Sequence, residues 1–92
     1  DGVEITYLTP NTPTRWRVDS LFEKEPCTIE WIATFKENEV LVDVGANVGM
    51  YTVFSALTRR VRVYAFEPES QNYALLNRNI VANNLGDRVR AY

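Results

Sequence analysis

The sequence predicts an α/β fold, half of a doubly wound parallel sheet in the order β-α-β-α-β, with a small β-hairpin and a helix ahead of it. Three observations carry this. The run Val40-Leu-Val-Asp-Val44 is apolar except for one acid and passes straight into the glycine-bearing turn Gly45-Ala-Asn-Val-Gly49. A second apolar run, Val61 to Phe66, lies one helix-length later and is followed by another acid, Glu67. Between and after these runs, apolar residues recur at helical rather than strand spacing.

From the start of the chain, Val3, Ile5 and Tyr7 alternate with Glu4 and Thr6, the pattern of a half-buried strand. Thr9-Pro-Asn-Thr-Pro13 must turn, and Thr14, Trp16 and Val18 then alternate with Arg15, Arg17 and Asp19, so a hairpin is expected. Ser20 to Glu25 reads as a short helical turn. Pro26 suits the first turn of a helix, where its missing N–H costs nothing. Ile29, Ile32 and Ala33 give that helix an apolar stripe, widened by Trp31 and Phe35. After the polar connection Lys36 to Glu39, the strand Val40 to Val44 is expected to be covered by helices on both faces. A helix from Val48 to about Leu57 leads to the strand Val61 to Phe66, and Pro68 enforces a break after Glu67. Ser70 suits a helix N-cap, Tyr73, Leu76, Ile80 and Val81 share one helical face, and Gly86 is placed to end that helix or the turn after it. A third strand runs from Arg88 to Tyr92.

With right-handed crossovers the spatial order becomes 3-2-1, the N-terminal half of a Rossmann-like sheet. Residues 1–25 are then a hairpin and extension, and residues 26–92 the cofactor-binding half of the domain. Strand 1 is normally interior in such a sheet, yet nothing in this sequence pairs with its far edge. The chain is therefore expected to be part of a larger domain or assembly, and to self-associate through that edge if truncated there.

Composition narrows the function. The 92 residues hold one domain, and 46% hydrophobic with 24% charged residues is the balance of a soluble globular protein rather than a disordered one. A net charge of −2 without a long basic run argues against a nucleic-acid groove. Arg59, Arg60 and Arg62 cluster at a helix end, where they read as contacts with the helix dipole. Cys27 is the single cysteine, so no intrachain disulfide can form. The absence of histidine argues against zinc chemistry and Ser-His-Asp catalysis, and no metal is expected. No apolar stretch reaches the roughly 20 residues of a membrane span. The start Asp1-Gly-Val-Glu4 is not a signal peptide, and the cytoplasm is the expected compartment.

A strand, glycine turn, helix, strand and terminal acid suit a cofactor that carries adenosine. A pyrophosphate needs a second glycine two positions after the first, and that position is Asn47. Asp43 would also repel phosphates. S-adenosyl-L-methionine makes different demands. Asp43 can attract its ammonium, the helix end after Asn47 can favour its carboxylate, and Gly45 and Gly49 can let the backbone approach its methionine part. Glu67 can accept both ribose hydroxyl protons. Each residue also has a plainer use: Asp43 as a cap or arginine partner, Glu67 as a first-turn helix acid, Asn47 as an N-cap, Gly49 in helix–strand packing. Their joint spacing favours the cofactor.

Val42-Asp-Val-Gly-Ala-Asn-Val-Gly-Met-Tyr51 followed by Ala65-Phe-Glu-Pro68 resembles the FkbM-type methyltransferases, a branch of the S-adenosylmethionine-dependent Rossmann-like enzymes. Asn72, Leu75-Leu76, Asn79-Ile80 and Asn83-Asn84-Leu85 extend the match, and Trp16-Arg17, Lys24-Glu-Pro26, Thr28 and Trp31 are similar to the segment ahead of the first strand. The resemblance implies methyl transfer to a hydroxyl oxygen of a sugar, polyketide or related metabolite, so a small-molecule or saccharide acceptor. By carry-over it places Asp43, Gly45, Asn47 and Glu67 on the cofactor. The full candidate set is Asp43, Gly45, Ala46, Asn47, Gly49, Glu67 and Pro68. The family's later strands, which carry most acceptor and catalytic groups, have no counterpart here, so these residues alone are expected to bind weakly and not to turn over.

A hydroxyl acceptor needs a general base, and none stands out. Glu25 could lie near the cofactor, but a cap or a surface ion pair is the simpler use. Trp16, Trp31 and Tyr51 read as packing rather than stacking or chemistry, and Cys27 as a small helix residue. Two other readings compete: a non-catalytic Rossmann-like interaction module, and a nicotinamide-dependent oxidoreductase, against which Asn47 and Asp43 argue.

Overall fold

Parallel pairing of the apolar runs sets the architecture seen in the computed structural model, which describes residues 26–92. The hairpin read over 3–18 and the turn over 20–25, with Trp16 and Glu25, lie outside the described residues. The element order is α1 (Pro26–Ile32), β1 (Val40–Val44), α2 (Met50–Arg59), β2 (Arg62–Phe66), α3 (Ser70–Ala82) and β3 (Val89–Ala91). The strands form one sheet in the order β1-β2-β3, all parallel, with Asp43 opposite Ala65 and Ala65 opposite Ala91. This is the α/β half-sheet that the sequence predicts, with strand ends within a residue of expectation.

Strand alternation divides the sheet into two unlike faces. Leu41, Val63, Ala65 and Val89 point to one face and join a buried core with Val53 and Ala56 of α2, Leu76 and Ile80 of α3, and Ile32 of α1. Val40, Val42, Val44, Tyr64 and Phe66 point to the other face and remain exposed, Val44 at 79%. Tyr92 stacks on Phe66 with ring centroids 5.1 Å apart. The expectation of helices on both faces of β1 is therefore corrected: among the described residues the packed elements lie on one face only. The stripe on α1 is also narrower than expected. Ile32 is buried and Phe35 half-buried, whereas Ala33 and Trp31 are exposed, with Trp31 meeting Phe35 edge-on at 4.9 Å.

The helix ends differ from the sequence reading at three points. The first long helix starts at Met50 rather than Val48, because Gly49 stands at its N-cap with φ 92° and Asn47 is left-handed in the loop before it. Asn47 is thus not an N-cap. On α3 the N-cap is Glu69, not Ser70, since its longer carboxylate folds back to accept the Asn72 N–H at 2.7 Å. The same helix ends without Gly86. Asn84 takes the left-handed position (φ 57°), with Asn84 N–H donating to Val81 and Leu85 N–H to Ile80. That is a Schellman end, and Leu85 buries itself beside Ile80. Of the arginine cluster, Arg59 donates twice to the Phe35 oxygen and Arg60 pairs with Glu37 at 3.5 Å, while Arg88, outside the cluster, donates to the Arg60 oxygen. No helix among the described residues is long and apolar enough to cross a membrane.

Gly49 carries the closest packing. A Cβ there would stand 2.6 Å from Cδ1 of the fully buried Leu76. Gly49→Ala adds this clash to an unfavourable positive φ and is expected to cost about 2 kcal/mol. Urea unfolding checks it, as a lower midpoint at unchanged slope.

Candidate functional site

The turn after β1 spends its residues on unusual backbone. Gly45 (φ 72°), Asn47 (φ 57°) and Gly49 (φ 92°) are all left-handed within five positions. Asparagine tolerates that region better than most side chains, which accounts for Asn47 between the glycines. Phe66, at the end of β2, accepts both the Gly45 and Ala46 N–H groups, at 2.8 and 3.0 Å. The turn is thereby fastened to the neighbouring strand at its carboxyl end, where ligands bind in open α/β sheets.

Glu67 fastens it again. Its side chain is buried, and Oε1 accepts the Asn47 N–H at 2.8 Å while Oε2 accepts the Glu69 N–H at 3.1 Å. Helix α3 adds two asparagines. Asn72 donates to Oδ1 of Asn47 at 3.1 Å, and the fully buried Asn79 donates to the Val48 carbonyl at 2.6 Å. The sequence reading placed these asparagines only in a family likeness; their task is to hold the loop. A helical polar residue on the face of Leu76 and Ile80 was the signal for it.

Asp43 lies on the covered face of β1, beneath α2. Thr52, itself fully buried, donates its hydroxyl to Oδ2 of Asp43 at 2.6 Å. Burial pushes the Asp43 carboxyl above its ordinary 3.8, the Thr52 hydrogen bond pulls it back, and the Glu67 charge adds to the rise. Among the described residues no lysine or arginine pairs with Asp43. A carboxylate held out of water without a cation is costly, and a cationic ligand group relieves that cost.

A depression of about 340 Å³ opens beside it, lined by Asp43, Val44, Gly45, Ala46, Asn47, Met50 and Tyr51. Space above Gly45 is open, with nothing within 4 Å of where a Cβ would lie. Of the sequence-predicted residues, Asp43, Gly45, Ala46 and Asn47 come together in this lining. Gly49 faces Leu76 instead, and Glu67 and Pro68 stand outside the lining. Met50 and Tyr51 belong to it; the sequence reading quoted both in the glycine motif but took Tyr51 for packing and gave Met50 no role. Acceptors (Asp43), a helix start and an open backbone suit a ligand bearing an ammonium and a carboxylate. Among the described residues no three His, Cys, Asp or Glu side chains are grouped to hold a metal ion.

The family model described as "TRM5/TYW2 methyltransferase domain" matches residues 19–92. The 31-O-demethyl-FK506 methyltransferase FkbM of Streptomyces tacrolimicus is 36% identical over 64 residues, 68% of this chain and 25% of that protein. The chain thus spans about a quarter of the length of this relative. Among solved structures, the precorrin 8w decarboxylase of Methanobacterium thermoautotrophicum is 32% identical, covering 76% of this chain and 37% of that one, with a TM-score of 0.62. TYW2 of P. horikoshii, in complex with MeSAdo, is 24% identical, covering 97% and 29%, with a TM-score of 0.61, and shows likeness of fold.

The state of Asp43 gives a sign to test. Its carboxyl binds a proton more readily folded than unfolded, so its contribution to stability is present at low pH. That contribution is lost as pH rises from about 3.8 through the raised value. Asp43→Asn keeps the Thr52 hydrogen bond without the charge. It is expected to be more stable than wild type at pH 7 and to lack this part of the decline, read from urea midpoints across the acid range, while losing affinity for a cationic ligand.

Proposed function

Because the chain belongs to the TRM5/TYW2 methyltransferase domain family, we propose that it is the S-adenosyl-L-methionine-binding part of a methyltransferase acting on a hydroxyl oxygen. The observation that carries the cofactor is Asp43: a half-buried carboxylate, unpaired by any cation among the described residues, on the wall of an open depression. With Oδ2 taken by Thr52, Oδ1 is the oxygen that meets the ligand's ammonium. The start of α2, with Met50 and Tyr51 in the lining, favours the ligand's carboxylate through the helix dipole. Gly45 leaves room for the methionine chain.

Glu67 keeps the ribose role in a constrained form. Each carboxylate oxygen already accepts one backbone N–H and retains a lone-pair direction for a ribose hydroxyl. The two N–H bonds fix the carboxylate before any ligand arrives, which lowers the ordering cost of binding. When bound, S-adenosylmethionine supplies an activated methyl group for in-line displacement, and the protein's task is positioning.

The acceptor, a small molecule or saccharide such as a sugar or polyketide, rests on the likeness to FkbM over 64 residues. The family match supports methyl transfer without naming the acceptor.

Calorimetry with the intact protein tests this. S-adenosylhomocysteine is expected to bind and NADH not to. Asp43→Ala and Glu67→Ala are each expected to weaken S-adenosylhomocysteine by roughly 10–100-fold, the value of a hydrogen bond to a charged group. NADH binding in place of S-adenosylhomocysteine refutes the reading.

A further inference from the structure

We propose that Thr52 is a positioning residue for the cofactor site, spending its buried hydroxyl to turn Asp43 so that Oδ1 alone faces the ligand. The inference rests on the S-adenosylmethionine reading of the depression. Thr52 lies in the first turn of α2, between the lining residue Tyr51 and the core residue Val53, and has no solvent exposure. Its side chain is not part of the depression's lining. It acts through Asp43, by a 2.6 Å bond across the gap between helix and strand.

The geometry explains why a hydroxyl stands here among apolar neighbours. A strand-borne aspartate beneath a helix has free rotation about its side chain unless one oxygen is tied. A serine or threonine is the smallest neutral donor that can tie it. A neutral donor also leaves the carboxylate's charge available, whereas a lysine or arginine at this place would neutralise the charge that the ligand's ammonium requires. The groups acting on Asp43 are the Thr52 hydroxyl from α2 and the Glu67 carboxylate after β2; among the described residues no cation faces it. Against the two influences that favour protonation, the hydroxyl is the one that favours the ionised form.

The test compares Thr52→Val, which keeps the shape, and Thr52→Ala, which keeps less volume, with Thr52→Ser, which restores the donor. Two readouts are taken. Titration of the Asp43 carboxyl carbon by NMR in ligand-free protein is expected to move up by about one pH unit in the two variants without a hydroxyl, and to stay near wild type in Thr52→Ser. S-adenosylhomocysteine affinity by calorimetry is expected to fall roughly tenfold at pH 7 in Thr52→Val and to recover in Thr52→Ser. A purely structural threonine lowers the melting temperature but leaves the Asp43 midpoint in place, and that result overturns the proposal. Should Thr52→Val not fold, Thr52→Ala carries the same comparison. If wild type binds S-adenosylhomocysteine and the variants match it in both readouts, this inference fails while the cofactor reading stands. If wild type binds none, the cofactor reading falls and takes this inference with it.

Discussion

The carboxylate of Glu67 joins two loops that the chain separates by 20 positions. One oxygen holds Asn47 in the turn after β1, and the other holds Glu69 at the start of α3. Without such an anchor, three left-handed residues in five would leave the turn after β1 poorly determined, because each samples a region that is costly or entropically loose. The same acid therefore helps to set the shape of the turn that lines the depression. Asn72 and Asn79 extend the anchor from α3, so the helix that follows the second strand helps to shape the site that follows the first.

Asp43 shows the opposite economy. Its position under α2 raises the free energy of the ionised form, and among the described residues one neutral donor, Thr52, compensates. Fold stability alone would favour an amide or an apolar residue there. A charged group kept where it is costly is a frequent mark of a functional site, since a ligand that brings the opposite charge recovers part of that cost.

The order of strands and helices was legible because hydrophobic periodicity and the glycine turn are local signals. So were Asp43 and Glu67 as the acids beside the strand ends. The helix starts were less legible, because Glu69 caps by reach rather than by residue type and Gly49 carries no side chain to announce itself. Asn84 displaced Gly86 as the helix stop for a similar reason: either residue can be left-handed, and the burial of Leu85 decides between them. The polar partners of β1 and its loop carried only a faint signal, polar residues on otherwise apolar helix faces. Thr52 meets Asp43 of β1, and Asn72 and Asn79 meet the loop, through tertiary contacts, and one sequence gives no measure of which helix positions face partners 9 to 31 residues away. Covering of β1 was over-read, since five mostly apolar residues look alike whether one face or both are packed.

Strand β1 does two jobs with alternate residues. Leu41 and Asp43 serve the core and the proposed cofactor site, while Val40, Val42 and Val44 face away from both. Genetic lesions in this short strand should therefore separate into two unlinked phenotypes. Changes at the odd-numbered positions act on folding and affinity together. Changes at the even-numbered positions act on whatever meets the opposite face, and leave the geometry around Asp43 intact. Five consecutive codons thus report on two surfaces of the molecule, and a selection that scores only cofactor use would see two of them.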